Sequence, residues 1–247
     1  MKVPGTISKA YSDVLLNGIN EADELPAAIK ADTKWGMLFV FSGLGVAGQV
    51  DEIEREMKVV LDRLGIVPGS LFSKIYSIDE LIFGIKYYLI AWSTMKDLMA
   101  SLINVSLDLG IHENDVSFGM LLRNKKIQKT NIPPICKKYA GILDVSHTDK
   151  RRNSVIHRGK LIDQEVSEYQ SKYRGLYSRR YSLLNSNPIS DDEFDREIKE
   201  LNTGLGGLVE LKNSEFDKHF KLTLRLNVEL AEEIAKLALM YLNQERI

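Results

Sequence analysis

The chain has 247 residues, 44% hydrophobic and 27% charged, with a formal net charge of −1 and one cysteine, Cys136. It is long enough to bury a sizeable core, and the lone thiol excludes an internal disulfide framework and suits a reducing compartment. The N-terminal "MKVPGTISKAYSDV" lacks the apolar run of a signal peptide, and the apolar run 37–48 falls short of the roughly eighteen residues needed to span a bilayer. A cytoplasmic protein with no membrane partner is expected.

In chain order, "MLFVF" (37–41) first suggests a strand, and "SGLGVAG" follows with Gly43, Gly45 and Gly48 in G-x-G-x-x-G spacing. A dinucleotide site needs more: a second strand ending in an acid about twenty residues on, to hold the ribose. Here Asp62 sits inside a helical stripe and "RLGIVPGSL" follows it, so 43–48 reads as a loop and no cofactor is expected. Residues 50–64 carry Ile53, Met57, Val60, Leu61 and Leu64 on one helical face.

From Ser77 to Leu109, three-and-four spacing of Ile78, Leu81, Ile85, Trp92, Met95, Met99 and Ile103 predicts a long buried helix. Ser77 and Glu80 form a capping-box pattern at its start, and Gly110 is its stop. Pro133-Pro134 opens a helix over 132–145, where missing first-turn N–H groups cost little. A helix over about 148–158 ends at Gly159, and another spans 162–185 with Tyr169, Tyr173, Tyr177 and Tyr181 on one face, read as packing surface. Ser190 and Glu193 open a short helix that the glycines of 203–207 break. The last helix covers about 214–243, although "HFKLTLRLNV" (219–228) shows a short strand-like alternation. Seams are expected at 65–76, 125–134, 186–190 and 203–213. The class is all-α: a helical bundle over 76–247 preceded by a mostly helical addition over 1–75.

Charge is distributed unevenly. Residues 116–160 hold eleven basic side chains against Asp144 and Asp149, a net of +9, which leaves −10 for the rest. Such asymmetry points to a polyanionic partner. At the end of this region stands "RRNSVIHRG" (151–159). On a helix, Asn153 and His157 lie four apart on the same face, so the amide can orient the imidazole. Arg152 is displaced by about 140° round the helix, a gap its long forked side chain can close to offer two donors to a phosphate. Lys150, Arg151, Arg158 and Lys160 surround these groups with positive charge.

That set suits RNA cleavage without a metal. The 2′-hydroxyl is an internal nucleophile, histidine can act as base or acid near neutral pH, and arginine stabilises the charge that builds on the phosphoryl oxygens. One imidazole is thin provision for both proton transfers, and a two-fold dimer would supply a second. His112, His147 and His219 show no metal-ligand spacing. Cys136 reads as a buried thiol, and "SDDEFDRE" (190–197) as carboxylates at a helix start.

Arg152, Asn153 and His157 in "RNSVIH", continued by "HRG", resemble the R-x4–6-H motif of the HEPN superfamily. These are small α-helical proteins, many of them metal-independent endoribonucleases working as homodimers in toxin–antitoxin or other defence systems. The resemblance implies that Arg152 and His157 are catalytic, with Asn153 supporting them, and that an antitoxin or nucleotidyltransferase partner is conceivable. It leaves a second reading open, a non-catalytic helical module that binds RNA or a protein.

Overall fold

The computed structural model describes residues 6–20, 33–64, 78–146, 163–181 and 188–244. Among them there is no strand, and no helix is long and apolar enough to cross a membrane. The helices are α1 (Thr6–Asn20), α2 (Thr33–Leu64), α3 (Ile78–Ser106), the single turn α4 (Phe118–Leu121), α5 (Ile132–Ser146), α6 (Gln164–Tyr181) and α7 (Asp191–Gln244). The all-α class expected from periodicity is the observed one.

Two compact units are assembled from interleaved stretches of chain. One comprises Met1–Lys58, Ala91–Ser146 and His219–Ile247; the other comprises Val59–Ile90 and His147–Lys218. In the first unit, Ile7, Tyr11 and Leu15 of α1 bury a stripe with i, i+4, i+8 spacing. Val50 and Met57 of α2, Trp92, Met95, Met99 and Leu102 of α3, and Leu230 and Ile234 of α7 join the same core. Each such side chain contributes about 1.5–3 kcal/mol through its removal from water. α1 is also held by polar bonds. Asp51 of α2 accepts from the Ile7 and Ser8 amides at 2.8 and 3.1 Å and from the Ser8 hydroxyl, serving first-turn N–H groups that have no intrahelical acceptor. Tyr11 Oη lies 2.8 Å from Ser106 Oγ.

In the second unit, Leu61 and Leu64 of α2, Leu81, Ile85 and Leu89 of α3, Val166 and Leu176 of α6, and Leu205, Val209 and Phe216 of α7 form the core. The Tyr88 and Phe216 rings are 4.7 Å apart, and Tyr88 Oη donates to the Phe216 carbonyl at 3.3 Å. Gly84 sits where a Cβ would come within 2.8 Å of Leu64 Cδ2.

Several expectations are corrected. Residues 43–48 are not a loop and 37–41 are not a strand, since both lie within α2. Gly43 serves close packing: a Cβ there would overlap the Tyr11 hydroxyl. The glycines of 203–207 do not break the chain, and α7 runs unbroken through them and through the seam expected at 203–213. Gly204 is again a contact point, because a Cβ there would overlap the Tyr169 hydroxyl. Burial of Leu205, Leu208 and Val209 offsets the roughly 1 kcal/mol that each glycine costs a helix. The alternation at 219–228 is helical as well: Phe220, Thr223, Leu226 and Asn227 are buried at helical spacing, while Leu222 is left exposed.

The stop after α3 comes earlier than the glycine expected to make it: the helix ends at Ser106, Asp108 takes the left-handed conformation (φ +42°), and the Leu109 amide donates to the Asn104 carbonyl at 3.1 Å. Gly110 follows with φ +68°, in the left-handed region that glycine tolerates, and Asn104 bonds both the carbonyl and the amide of Ile111. At α6, Asp163 caps the helix through Oδ1 to the Val166 amide at 3.2 Å.

Candidate functional site

The seven side chains singled out from sequence, Lys150, Arg151, Arg152, Asn153, His157, Arg158 and Lys160, lie outside the described residues, as does the helix expected over 148–158. The chain is described on both sides, at Ser146, where α5 ends, and at Asp163, which opens α6.

Asp163 is itself firmly held. Its Oδ2 lies 2.9 Å from Lys212 Nζ of α7 in an ion pair, and both side chains are almost fully buried. The same ammonium reaches Glu165 at 2.7 Å and Glu215 at 3.3 Å. Burial opposes the lysine's charge, yet hydrogen bonds to Glu165 and Asp163, with further carboxylate charge, hold its pKa above the ordinary value. Three carboxylates surround one ammonium, an arrangement that fixes backbone and offers no free nucleophile. It joins the first turn of α6 to α7 just downstream of the basic motif.

The tyrosine stripe of α6 divides by depth. Tyr173 Oη donates to Asn202 Oδ1 at 2.5 Å, and Tyr169 lies against Gly204 with Lys172 over its ring. Tyr177 and Tyr181 are exposed, stacked at 5.9 Å, and meet Phe194 edge-on. Packing therefore accounts for the first two rings and only in part for the last two.

Burial pushes the Cys136 thiol up to about 12, so it is not a thiolate at neutral pH. His112 Nδ1 accepts from the Asn114 amide at the start of a 3-10 turn, Glu113–Asp115. His219 is buried edge-on against Trp92. At 190–197, Ser190 Oγ accepts from the Glu193 amide, and Asp191, Asp192 and Glu193 occupy the first turn of α7, where carboxylates suit the helix dipole. Among the described residues, no three His, Cys, Asp or Glu side chains gather as cation ligands.

One buried group has no signature in the sequence. Glu54 is fully buried, accepting from Asn227 Nδ2 at 2.7 Å and from Thr6 Oγ1 at 3.2 Å. Burial first, and the Asp51 charge second among the raising effects, push its carboxyl up to about 7. The Tyr139 hydroxyl and Asn227 Oδ1 are buried in the same unit without a hydrogen-bond partner among the described residues.

A family model described as HEPN_Cthe2314-like HEPN matches residues 75–243, more than half of the chain. Comparison with curated proteins and with solved structures gave no match.

Proposed function

This chain belongs to the HEPN superfamily, and from that premise we propose that it is a metal-independent endoribonuclease acting as a homodimer. The observation that carries the reading is Arg152, Asn153 and His157 in R-N-x-x-x-H spacing, inside the matched span and at the end of a +9 region. In this reading one His157 takes the proton of the RNA 2′-hydroxyl, whose oxygen attacks the adjacent phosphorus. Its counterpart across the two-fold protonates the departing 5′-oxygen, and the products are a 2′,3′-cyclic phosphate and a 5′-hydroxyl. Arg152 stabilises the charge gathering on the non-bridging oxygens. Asn153 orients the imidazole, and Lys150, Arg151, Arg158 and Lys160 hold the flanking phosphates. The bundle over 76–247 carries the activity, with 1–75 as an addition to it. An antitoxin or a nucleotidyltransferase is the natural protein partner in such systems.

The test is incubation of purified protein with RNA in EDTA. Cleavage to 2′,3′-cyclic ends, lost in both Arg152→Ala and His157→Ala, is expected. No cleavage at any protein concentration, or equal cleavage by His157→Ala, overturns the catalytic reading and leaves a non-catalytic binding module.

A further inference from the structure

The most uneven charge among the described residues lies in the unit that holds α5, upstream of the proposed catalytic motif. Between Asp115 and Asp144 the sequence has no acid, yet it places Arg123, Lys125, Lys126, Lys129, Lys137 and Lys138 within sixteen residues. All six are exposed. Lys126 Nζ donates to the Asp108 carbonyl at 2.9 Å, and Lys138 pairs with Glu229 at 2.6 Å. The other four, Arg123, Lys125, Lys129 and Lys137, make no ion pair among the described residues.

These cations stand on a fixed backbone. Leu121, Ile127, Ile132 and Ile135 are buried beneath them, at 4% exposure or less. Successive turns close by Asn124 N to the Leu121 carbonyl at 2.9 Å and Thr130 N to the Ile127 carbonyl at 3.0 Å. Asn124 Oδ1 accepts from the Lys126 amide and Thr130 Oγ1 from the Ile132 amide. Four like charges within sixteen residues of ordered chain, without ion pairs among the described residues, raise the local positive potential that a polyanion meets on binding.

We propose that Arg123, Lys125, Lys129 and Lys137, upstream of the catalytic motif in the sequence, form a binding surface for the phosphate backbone of RNA. The exposed neighbours, Gln128 and Asn131, are polar donors and acceptors, and no large apolar side chain is exposed between 123 and 138. That composition fits a phosphate chain. It does not fit a bilayer, which takes basic residues interleaved with exposed apolar ones, or a protein interface anchored on buried aromatics. The choice of RNA among polyanions rests on the function proposed above; the surface itself does not.

The experiment uses the full chain carrying His157→Ala, so that RNA stays intact, and a labelled unstructured 20-nucleotide RNA titrated between 50 and 200 mM KCl. It is compared with the same chain carrying Arg123→Gln, Lys125→Gln, Lys129→Gln and Lys137→Gln together. Each phosphate contact adds about 0.7 to the slope of log affinity against log salt for a single strand, so the quadruple variant is expected to bind with a slope shallower by about 2–3. Its affinity at 100 mM salt should fall at least about tenfold, while Arg196→Gln with Lys199→Gln changes neither quantity. An unchanged melting temperature confirms that the exposed substitutions leave the fold intact. Equal slope and affinity in the quadruple variant overturn the proposal. So does binding confined to phosphatidylserine vesicles, or no RNA binding by either protein. If the unsubstituted chain fails to cleave RNA but the quadruple variant loses binding, the surface stands and the nuclease reading falls; cleavage together with unaltered binding gives the reverse.

Discussion

In the unit that contains α6, a lysine is buried among carboxylates; in the unit that contains α1, a glutamate is buried with neutral hydrogen-bond partners. Lys212 keeps its proton because Asp163, Glu165 and Glu215 supply opposite charge at 2.7–3.3 Å. Among the described residues Glu54 accepts from the Asn227 amide and the Thr6 hydroxyl, with Asp51 adding like charge, and proton uptake near neutrality is the cheaper answer. Burial acts against charge in both places. Whether the ion survives depends on the partners, and the two units are therefore expected to respond to pH in different ways.

The largest expected effect breaks the ion cluster. Lys212→Met leaves Asp163 buried without its ammonium and costs about 3 kcal/mol in urea unfolding, the low end for a broken buried pair because Glu165 and Glu215 remain partly open to water. Loss of less than about 1 kcal/mol would show that the cluster is solvated in solution.

The second test addresses the other charge. The Glu54 pKa is raised in the fold from 4.5 to about 7, so its contribution to stability is fully present below pH 4.5 and is lost as pH rises toward 7. Glu54→Gln removes the titration. The variant should be more stable than the parent at pH 8, by up to about 3 kcal/mol, and no more stable at pH 4.5. Urea unfolding of both proteins at the two pH values measures this, and parallel pH profiles would refute it.

A smaller change touches only neutral groups. Tyr11→Phe deletes the contact with Ser106 and should cost about 1 kcal/mol at every pH. Smallest is Arg179→Ala, which removes a pair with Glu197 on the open surface and should leave the melting temperature within experimental scatter.

Much of the helical frame is legible in the sequence because burial writes itself as periodicity. The spacing of Ile78 through Ile103 gives α3, and Pro133-Pro134 the first turn of α5. Gly43 and Gly204 mislead for a physical reason. A missing side chain can mean a turn or a place where another side chain needs room, and only the presence of Tyr11 and Tyr169 decides. Lys212 carries no local mark, since "VELKNSE" reads as an ordinary polar helix face, and its partner Asp163 comes from another helix terminus. Glu54 and Asn227 are 173 residues apart, beyond the reach of any spacing rule. The motif around Arg152 and His157 is legible as chemistry, while its geometry lies outside the described residues.

The bond between Asp51 and the start of α1 has a bearing on biogenesis. The Ile7 and Ser8 amides find their acceptor 44 and 43 positions later in the chain. During translation the segment 6–20 is synthesised and emerges ahead of that carboxylate, and as a fifteen-residue helix it is marginal alone in water. Its first turn is completed only after the middle of α2 has emerged, so this part of the molecule matures against the direction of synthesis.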